Sequence, residues 1–243
     1  MGKGELEMKG FIFDVDGTLT PSRGKIDDNF QRWFLEFCYS HHVYLVTGSD
    51  YPKTVEQLGT TICENVIRVY NCNGNDVWSQ GKNINTNYWV LPEEAHDWLS
   101  GQLVSSEFPL RTGLHFEHRP GMVNFSIVGR NADAIERKAY VKWDDETKER
   151  QNIANKFNNH FVNLTATVGG ETGLDIAPNG ADKGQILKDF EFDNIRLIFF
   201  GDRMDEKGND YPLAKLILDN KLGECYNIQN WENTWNLLQN YVD

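Results

Sequence analysis

The sequence is poor in cysteine and has no long hydrophobic run. Its cysteines include no CxxC pair, so we expect free thiols rather than a structural zinc site or a set of disulfides: Cys38, Cys63, Cys72 and Cys225. No stretch approaches the roughly 18 apolar residues of a membrane-spanning helix. Residues 1–8 also lack the apolar core of a secretion signal. The sequence therefore predicts a cytoplasmic protein without a membrane partner.

Positive charge is also scarce. The chain has 24 Lys and Arg against 36 Asp and Glu, which gives a formal net charge of -12. Non-specific nucleic-acid binding depends on a basic face, so we expect no nucleic-acid partner. A phosphorylated substrate is not excluded, because a few arginines and a metal ion can reverse the local potential inside a cleft. The histidines form no HExxH-like set, so none is assigned to a metal.

The most informative stretch lies between residues 10 and 21. Large apolar residues run directly into Asp14, which indicates a buried strand that ends in a carboxylate. Asp16 follows two positions later, on the same side of a continuing strand. Gly17 then lets the chain turn sharply. Carboxylates at the carboxyl edge of a sheet are typical of an open α/β fold, in which ligands bind outside the strand ends.

Two neighbouring anionic groups are costly unless a cation or a shared proton compensates them. We therefore predict Asp14 as a nucleophile, Asp16 as an acid/base, and a divalent ion between them and a phosphate. The alternative is a strand followed by an Asx-rich turn. The string DVDGTLT at residues 14–20 resembles the first motif of the haloacid dehalogenase (HAD) superfamily of phosphotransferases, which favours the catalytic interpretation.

The two ends of the chain alternate between strand and helix patterns, which predicts a doubly wound parallel sheet. The predicted strands after the first are 43–46, 66–70, 195–200 and 224–228, and the predicted helices are 26–39, 51–59, 186–190 and 231–241. Thr47 and Ser49 follow the second strand, where hydroxyl groups beside a helix N-terminus can bind a phosphate oxygen. Ser49 or Asp50 can equally cap that helix, and both roles can hold. Arg23 is either a phosphate contact or a solvated charge.

A second acidic constellation follows the strand at 195–200. That strand delivers Asp202 to the sheet edge, and a flexible loop delivers Asp210. With Asp14 and the backbone carbonyl of Asp16, these oxygen ligands suit octahedral Mg²⁺. Lys183, at the start of a predicted helix, can offset the charge of an aspartyl-phosphate.

The middle of the chain has a different pattern from the two ends. Strand patterns at 113–117, 122–128, 162–168 and 172–177 alternate with helical patterns at 92–103 and 131–161. This predicts an α+β domain with a mostly antiparallel sheet. We assign it residues 84–181, inserted between residues 1–83 and 182–243 of the α/β core.

Several further strings occur in an order and spacing that resembles the eukaryotic phosphomannomutase family over nearly the full chain. They are residues 14–23, 48–50 with 56–59, 73–74, 119–130, 136–137, 169–175, 182–183, 199–202 and 208–211. The resemblance implies a HAD-like core with an inserted antiparallel cap of the C2b-like type. It also implies a homodimer formed through the cap.

The resemblance carries functional roles onto matching positions. It implies that Arg119, Arg130 and Arg137, with Arg23 from the core, hold the distal phosphate of a sugar phosphate, and that Asp175 accepts from sugar hydroxyls. A planar guanidinium can grip a phosphate with two hydrogen bonds, which suits arginine for this role. The implied reaction interconverts mannose 1-phosphate and mannose 6-phosphate through an aspartyl-phosphate on Asp14, with Mg²⁺ and a hexose 1,6-bisphosphate activator.

The sequence also departs from the family pattern. Gly173 replaces a serine, Thr47 replaces a glycine, and the loop at 203–208 is divergent; Pro212 and the apolar run after it replace acidic positions. A Mg²⁺-dependent HAD sugar-phosphate phosphatase shares every residue of the metal site and is the alternative enzyme. A non-catalytic sugar-phosphate-binding protein is a third hypothesis, which the intact Asp14, Asp16, Lys183 and Asp202 argue against.

Overall fold

The computed structural model describes residues 8–190, 195–206 and 208–242. Residues 1–7, where the sequence lacks a secretion-signal core, and Lys207 of the loop at 203–208 lie outside these ranges. The elements in chain order are β1 (Met8–Phe13), α1 (Asp28–Ser40), β2 (His42–Val46), α2 (Tyr51–Leu58), α3 (Thr60–Asn65), β3 (Arg68–Asn71), β4 (Asp76–Ser79), β5 (Lys82–Thr86), α4 (Glu93–Ser105), β6 (Phe116–Arg119), β7 (Met122–Phe125), α5 (Ala134–Thr147), α6 (Glu149–His160), β8 (Leu164–Gly169), β9 (Gly173–Pro178), β10 (Ile195–Gly201), α7 (Tyr211–Asp219), β11 (Gly223–Asn227) and α8 (Trp231–Leu238). Among these, no helix has the length and apolar character that crossing a bilayer requires.

The backbone divides into two compact units, and the chain passes from one to the other after Thr86 and returns after Asn179. Within the described residues, the first unit has a seven-stranded sheet in the order β11-β10-β1-β2-β3-β4-β5. The pairings from β11 to β3 are parallel, as the alternation of strands and helices predicted. The last two pairings are antiparallel.

The core sheet buries both of its faces, because successive side chains of its strands point to opposite sides. Phe11 and Phe13 of β1 pack on one face against α1, whose Phe30, Phe34 and Phe37 are buried. Ile12 packs on the other face against the 3₁₀ turn Lys183–Phe190 and α7. Each fully buried side chain of this size contributes roughly 1.5–3 kcal/mol. The apolar run before Asp14 therefore fixes β1 in the middle of the sheet.

The register of the central strands decides where the acidic residues lie. Phe13 of β1 pairs with Phe200 of the parallel strand β10, and the backbone N–H of Asp14 donates to the carbonyl of Phe200 at 2.9 Å. Asp14 and Asp202 therefore leave neighbouring strands at the same edge of the sheet. The two ends of the chain thus supply one acidic site.

The second unit has, in its described residues, a four-stranded antiparallel sheet in the order β6-β7-β9-β8. One face is apolar and carries buried Phe125, Leu174 and Ile176, which pack in a cluster with α4, α5 and α6. The other face is polar. On it, one row of directly paired residues crosses all four strands: Glu117, Asn124, Asp175 and Thr167.

Several elements differ from the sequence-based prediction. The hairpin β4–β5 and the helices α3 and α7 were not predicted, and the helical region at 131–161 is two helices separated by Lys148, which has a left-handed backbone with φ of 55°. Lys183 begins a 3₁₀ segment rather than an α-helix. The strand β7 was expected to be half-buried, but all four of its residues are buried, and Asn124 on its polar face donates its side-chain amide to Asp175.

Candidate active site

Three carboxylates meet at the edge of the core sheet. Each of Asp14, Asp202 and Asp210 offers an oxygen, and the three oxygens lie within 4.8 Å of one another. Asp14 and Asp210 are buried, whereas Asp202 is half-buried. Asp14 and Asp202 follow β1 and β10, and Asp210 directly precedes α7. The structure thus brings together three of the residues that the sequence singled out.

Lys183 contacts two of these carboxylates and is fully buried. Its ammonium group donates to Oδ1 of Asp14 at 2.5 Å and to Oδ1 of Asp210 at 2.7 Å. Although burial works against its charge, the two carboxylates raise the pKa of Lys183 above its ordinary value. Lys183 therefore stays protonated at neutral pH and compensates part of the buried negative charge.

The carboxylates hold more negative charge than Lys183 neutralises. Burial raises the pKa of Asp14 well above its ordinary value; Lys183 opposes this rise, and the charges of Asp210 and Asp202 add to it. Burial and the charge of Asp210 raise the pKa of Asp202 from 3.8 to about 6. Hard oxygen donors with uncompensated charge are what Mg²⁺ prefers. The donor set therefore fits a magnesium ion.

Gly17 makes room for Asp202 in this arrangement. Its backbone is left-handed with φ of 78°, and a Cβ atom at this position would clash with the carboxylate of Asp202. Any other residue would strain the backbone and push Asp202 away from Asp14. Gly17 thus serves the close packing of the carboxylates as well as the turn.

Magnesium is expected to stabilise the protein in a pH-dependent way. Because the pKa of Asp202 is raised to about 6, charging this carboxylate destabilises the metal-free protein as pH rises from about 4 to 6. At pH 7.5, Mg²⁺ at roughly 100 times its dissociation constant should raise the Tm by roughly 5–10 °C, and by much less at pH 5.5, where protons compete. Thermal melts with Mg²⁺ or a chelator measure both increments.

The matched variants for this measurement are Asp202→Asn and Asp205→Asn. Asp205 is an exposed carboxylate of the same loop and lies outside the cluster, so D205N should keep the full Mg²⁺ increment. D202N should lose most of it. A wild-type increment in D202N would remove Asp202 from the proposed metal ligands.

The side chain of Asp16 is not part of the carboxylate cluster. Its Oδ1 accepts from the side-chain amide of Gln57 at 2.9 Å and from the backbone N–H of Arg23 at 2.5 Å. A metal contact through the backbone carbonyl of Asp16 remains a prediction. Gln57 is buried and also contacts Thr20 and Gly24. Sequence reasoning assigned Gln57 no role, because nothing local marks a glutamine that acts on a residue so far along the chain.

The remaining predicted core residues lie at or near the same edge. The Arg23 side chain is exposed, and its backbone is left-handed with φ of 56°. Thr47 is buried, and its hydroxyl accepts the backbone N–H of Ser49 at 3.1 Å. Asp50 caps α2 by accepting the backbone N–H of Lys53 at 3.0 Å. The helix cap is therefore Asp50, and phosphate binding by Thr47 and Ser49 stays a prediction.

The predicted arginines of the second unit are all engaged by carboxylates. Arg119 donates from Nε to Oε1 of Glu117 at 2.7 Å, and Arg130 donates from Nε to Oε2 of the same carboxylate. Arg137 donates to Oε2 of Glu171 at 3.0 Å. Desolvation acts against the charge of Glu117, but the hydrogen bonds and charges of its two arginines prevail and lower its pKa.

Asp175 lies beside these groups on the polar face. It accepts from the side-chain amide of Asn124 at 2.6 Å. Burial raises the pKa of Asp175, an effect that Asn124 and the two nearby arginines oppose. A Cβ atom at Gly173 would lie 2.6 Å from Nδ2 of Asn124. The glycine that departs from the family pattern therefore gives Asn124 its place against Asp175.

Arg150 stabilises the turn between β8 and β9, which carries Glu171 and directly precedes Gly173. Arg150 donates to the carbonyl of Gly170 at 3.0 Å and forms a largely buried ion pair with Asp144 at 2.9 Å. This support could not be predicted from the sequence, since it joins α5, α6 and a turn. The polar face is thus built on a fixed turn.

The fold defines a class of protein. The chain superposes on the IMP-nucleotidase of Plasmodium falciparum with a TM-score of 0.65 and 14% identity, over 97% of this chain and 68% of that one. It superposes on a haloacid dehalogenase-like hydrolase of Bacteroides thetaiotaomicron with a TM-score of 0.59 and 13% identity, over 97% and 100% of the two chains. At such identities the likeness concerns the fold alone, and the fold is the HAD-like one predicted from the sequence.

Sequence similarity then identifies the family. The eukaryotic phosphomannomutase family profile matches residues 31–242. The phosphomannomutase of Saccharomyces cerevisiae is 32% identical over 211 residues, 83% of each chain, and that of Spinacia oleracea is 32% identical over 210 residues, 83% of this chain and 84% of the spinach protein. The chain belongs to the eukaryotic phosphomannomutase family and is an enzyme of the phosphotransferase and isomerase type, as predicted.

Proposed function

We propose that this chain interconverts mannose 1-phosphate and mannose 6-phosphate through an aspartyl-phosphate on Asp14, with Mg²⁺ as cofactor and a hexose 1,6-bisphosphate as activator. The observation that carries the proposal is the buried contact of Asp14 with Lys183 in a member of the phosphomannomutase family. A protein that only binds sugar phosphates has no need of a buried carboxylate kept beside a protonated lysine. Perturbed groups of this kind concentrate at catalytic sites.

We assign each of the following residues of the core unit a separate role in the phosphoryl transfer. Lys183 occupies Oδ1 of Asp14, so we assign the attack on phosphorus to Oδ2. The bond between phosphorus and the sugar oxygen breaks, and Asp16 donates its proton to that leaving oxygen. Gln57 and the backbone of Arg23 occupy Oδ1 of Asp16, so this proton belongs on Oδ2. Lys183 keeps its charge throughout and stabilises the anionic group.

The return step restores the enzyme. Asp16 takes the proton of the free hydroxyl of a sugar monophosphate, that oxygen attacks the phosphorus carried by Asp14, and the bond between phosphorus and Asp14 breaks. The sugar bisphosphate formed in this way turns over, and Asp14 takes the phosphoryl group from its other end as in the first step. Asp14, Asp202 and Asp210 would hold a magnesium ion, which supplies charge stabilisation at the transferring phosphoryl group. Arg119, Arg130, Arg137, Asp175, Arg23, Thr47 and Ser49 are proposed to bind the sugar phosphate.

The test is to supply mannose 1-phosphate, Mg²⁺ and a catalytic amount of glucose 1,6-bisphosphate to the purified chain and to follow mannose 6-phosphate and free phosphate together. We expect the isomer to form much faster than phosphate, with a lag when the bisphosphate is omitted. Release of phosphate without isomer would instead establish the alternative, a Mg²⁺-dependent sugar-phosphate phosphatase. If neither isomer nor phosphate forms, mannose phosphates are excluded as the substrate.

A further inference from the structure

We propose that Glu117 is a positioning residue that holds Arg119 and Arg130 together as one phosphate-binding unit. The inference rests on the proposed function, since it takes the two arginines as ligands of a sugar phosphate. Glu117 was not among the residues singled out in the sequence. Its role comes from contacts that only the folded second unit provides.

The geometry of the three side chains supports this role. One carboxylate oxygen of Glu117 accepts from Nε of Arg119 at 2.7 Å, and the other accepts from Nε of Arg130. Glu117 and Arg119 lie two positions apart on β6, on the same side of the strand, whereas Arg130 belongs to the segment after β7. One carboxylate thus joins two guanidinium groups, one from β6 and one from the segment after β7.

Binding through Nε fixes the orientation of an arginine. A guanidinium group is planar, so a hydrogen bond at Nε sets the direction of its terminal nitrogens. Both arginine side chains are only 19% exposed and that of Glu117 is 34% exposed, which limits their freedom further. Phosphate binding costs less entropy when the two arginines are already oriented than when they must be ordered on binding. Preorganised arginines therefore bind phosphate more tightly.

The charges on the polar face also favour a carboxylate between Arg119 and Arg130. Two neighbouring guanidinium groups repel each other, and Glu117 compensates them while the site holds no phosphate. Asp175 also lies close enough to Arg119 and Arg130 to feel their charges. A glutamate is the right residue for the bridge: an aspartate is one methylene shorter, and a glutamine would turn an N–H donor toward one of the two arginine donors.

The experiment compares Glu117→Asp and Glu117→Gln with the wild-type chain. We expect both to raise the KM for mannose 1-phosphate by about 10- to 100-fold, because small misplacements of binding groups have effects of this size, while kcat falls by less than threefold. The Kd for mannose 6-phosphate, measured by calorimetry without turnover, should rise by the same factor. Thermal melts are expected to show both variants folded.

The matched control is Glu224→Asp, which shortens a half-buried glutamate that pairs with Arg196 in the core unit; the KM of this variant should equal the wild-type value. If Glu117 acted by charge alone, E117Q would bind sugar phosphate more tightly and E117D would bind as the wild type does, and either result would overturn the proposal. Failure of the proposed function can be told apart from failure of the role of Glu117. In the first case the wild-type protein would form no isomer, and the calorimetric comparison of the variants would still decide whether Glu117 positions the arginines.

Discussion

Replacing Asp14 with asparagine is expected to lower turnover by about 10⁴-fold or more, because an amide cannot attack phosphorus and no covalent intermediate can form. Asparagine has nearly the same shape, and it removes one charge from a cluster that holds more negative charge than Lys183 compensates. The stability of D14N should therefore equal or exceed that of the wild type. The isomerisation assay gives the turnover, and intact mass after incubation with glucose 1,6-bisphosphate reveals whether one phosphoryl group is attached.

The control for this variant is Asp219→Asn, an exposed aspartate that pairs with Lys215 at the end of α7. D219N should turn over substrate and acquire the phosphoryl group as the wild type does. A D14N protein that still forms isomer, or that still becomes phosphorylated, would remove Asp14 from the nucleophile's role and leave the mechanism without its first step.

Replacing Lys183 with methionine is expected to destabilise the fold by roughly 3–5 kcal/mol at pH 7, because it leaves two buried carboxylates without their cation. Methionine has a similar length and fills the same space. The raised pKa of Lys183 means that its stabilising contribution is complete throughout neutral pH and is lost only at high pH, above its ordinary pKa. Urea unfolding at pH 7 measures the loss, and isomerisation should be abolished as well.

Two comparisons make this result specific to the buried contact. Lys215→Met removes an exposed lysine with one carboxylate partner and should change the unfolding free energy by less than about 0.5 kcal/mol. Adding Asp210→Asn to K183M should restore part of the lost stability, because it removes one of the two orphaned charges. Wild-type stability in K183M would contradict the electrostatic account of the cluster.

The acidic site could be predicted from the sequence because its parts follow local rules. Asp14 and Asp202 each follow an apolar run, and parallel strands buried on both faces read as such runs. Parallel strands also end at the same edge of a sheet, so the two carboxylates had to lie close together. Thr47 follows the same logic on β2. This part of the site could therefore be predicted from short segments of the sequence.

Other features could not be predicted because they depend on partners distant in the chain. Glu117 and Gln57 show no periodic signal, and their roles come from contacts with Arg130 and Asp16. The strand β5 is short, polar and exposed, so it lacks the apolar pattern of a strand. The helix α7 was missed because its Pro212 was interpreted as a departure from the family pattern, although proline is favoured in the first turn of a helix.

The pairing of β1 with β10 has a consequence for how the protein is made. Phe13 can pair with Phe200 only after Phe200 has left the ribosome, whereas the second unit is built from one continuous stretch that is made earlier, Asn87–Asn179. Domains generally fold as units during synthesis, and pairings between distant segments form late. The inserted unit can therefore fold before the apolar strand β1 pairs with β10. During that interval the nascent chain exposes the apolar strand β1, and transiently exposed apolar strands favour aggregation.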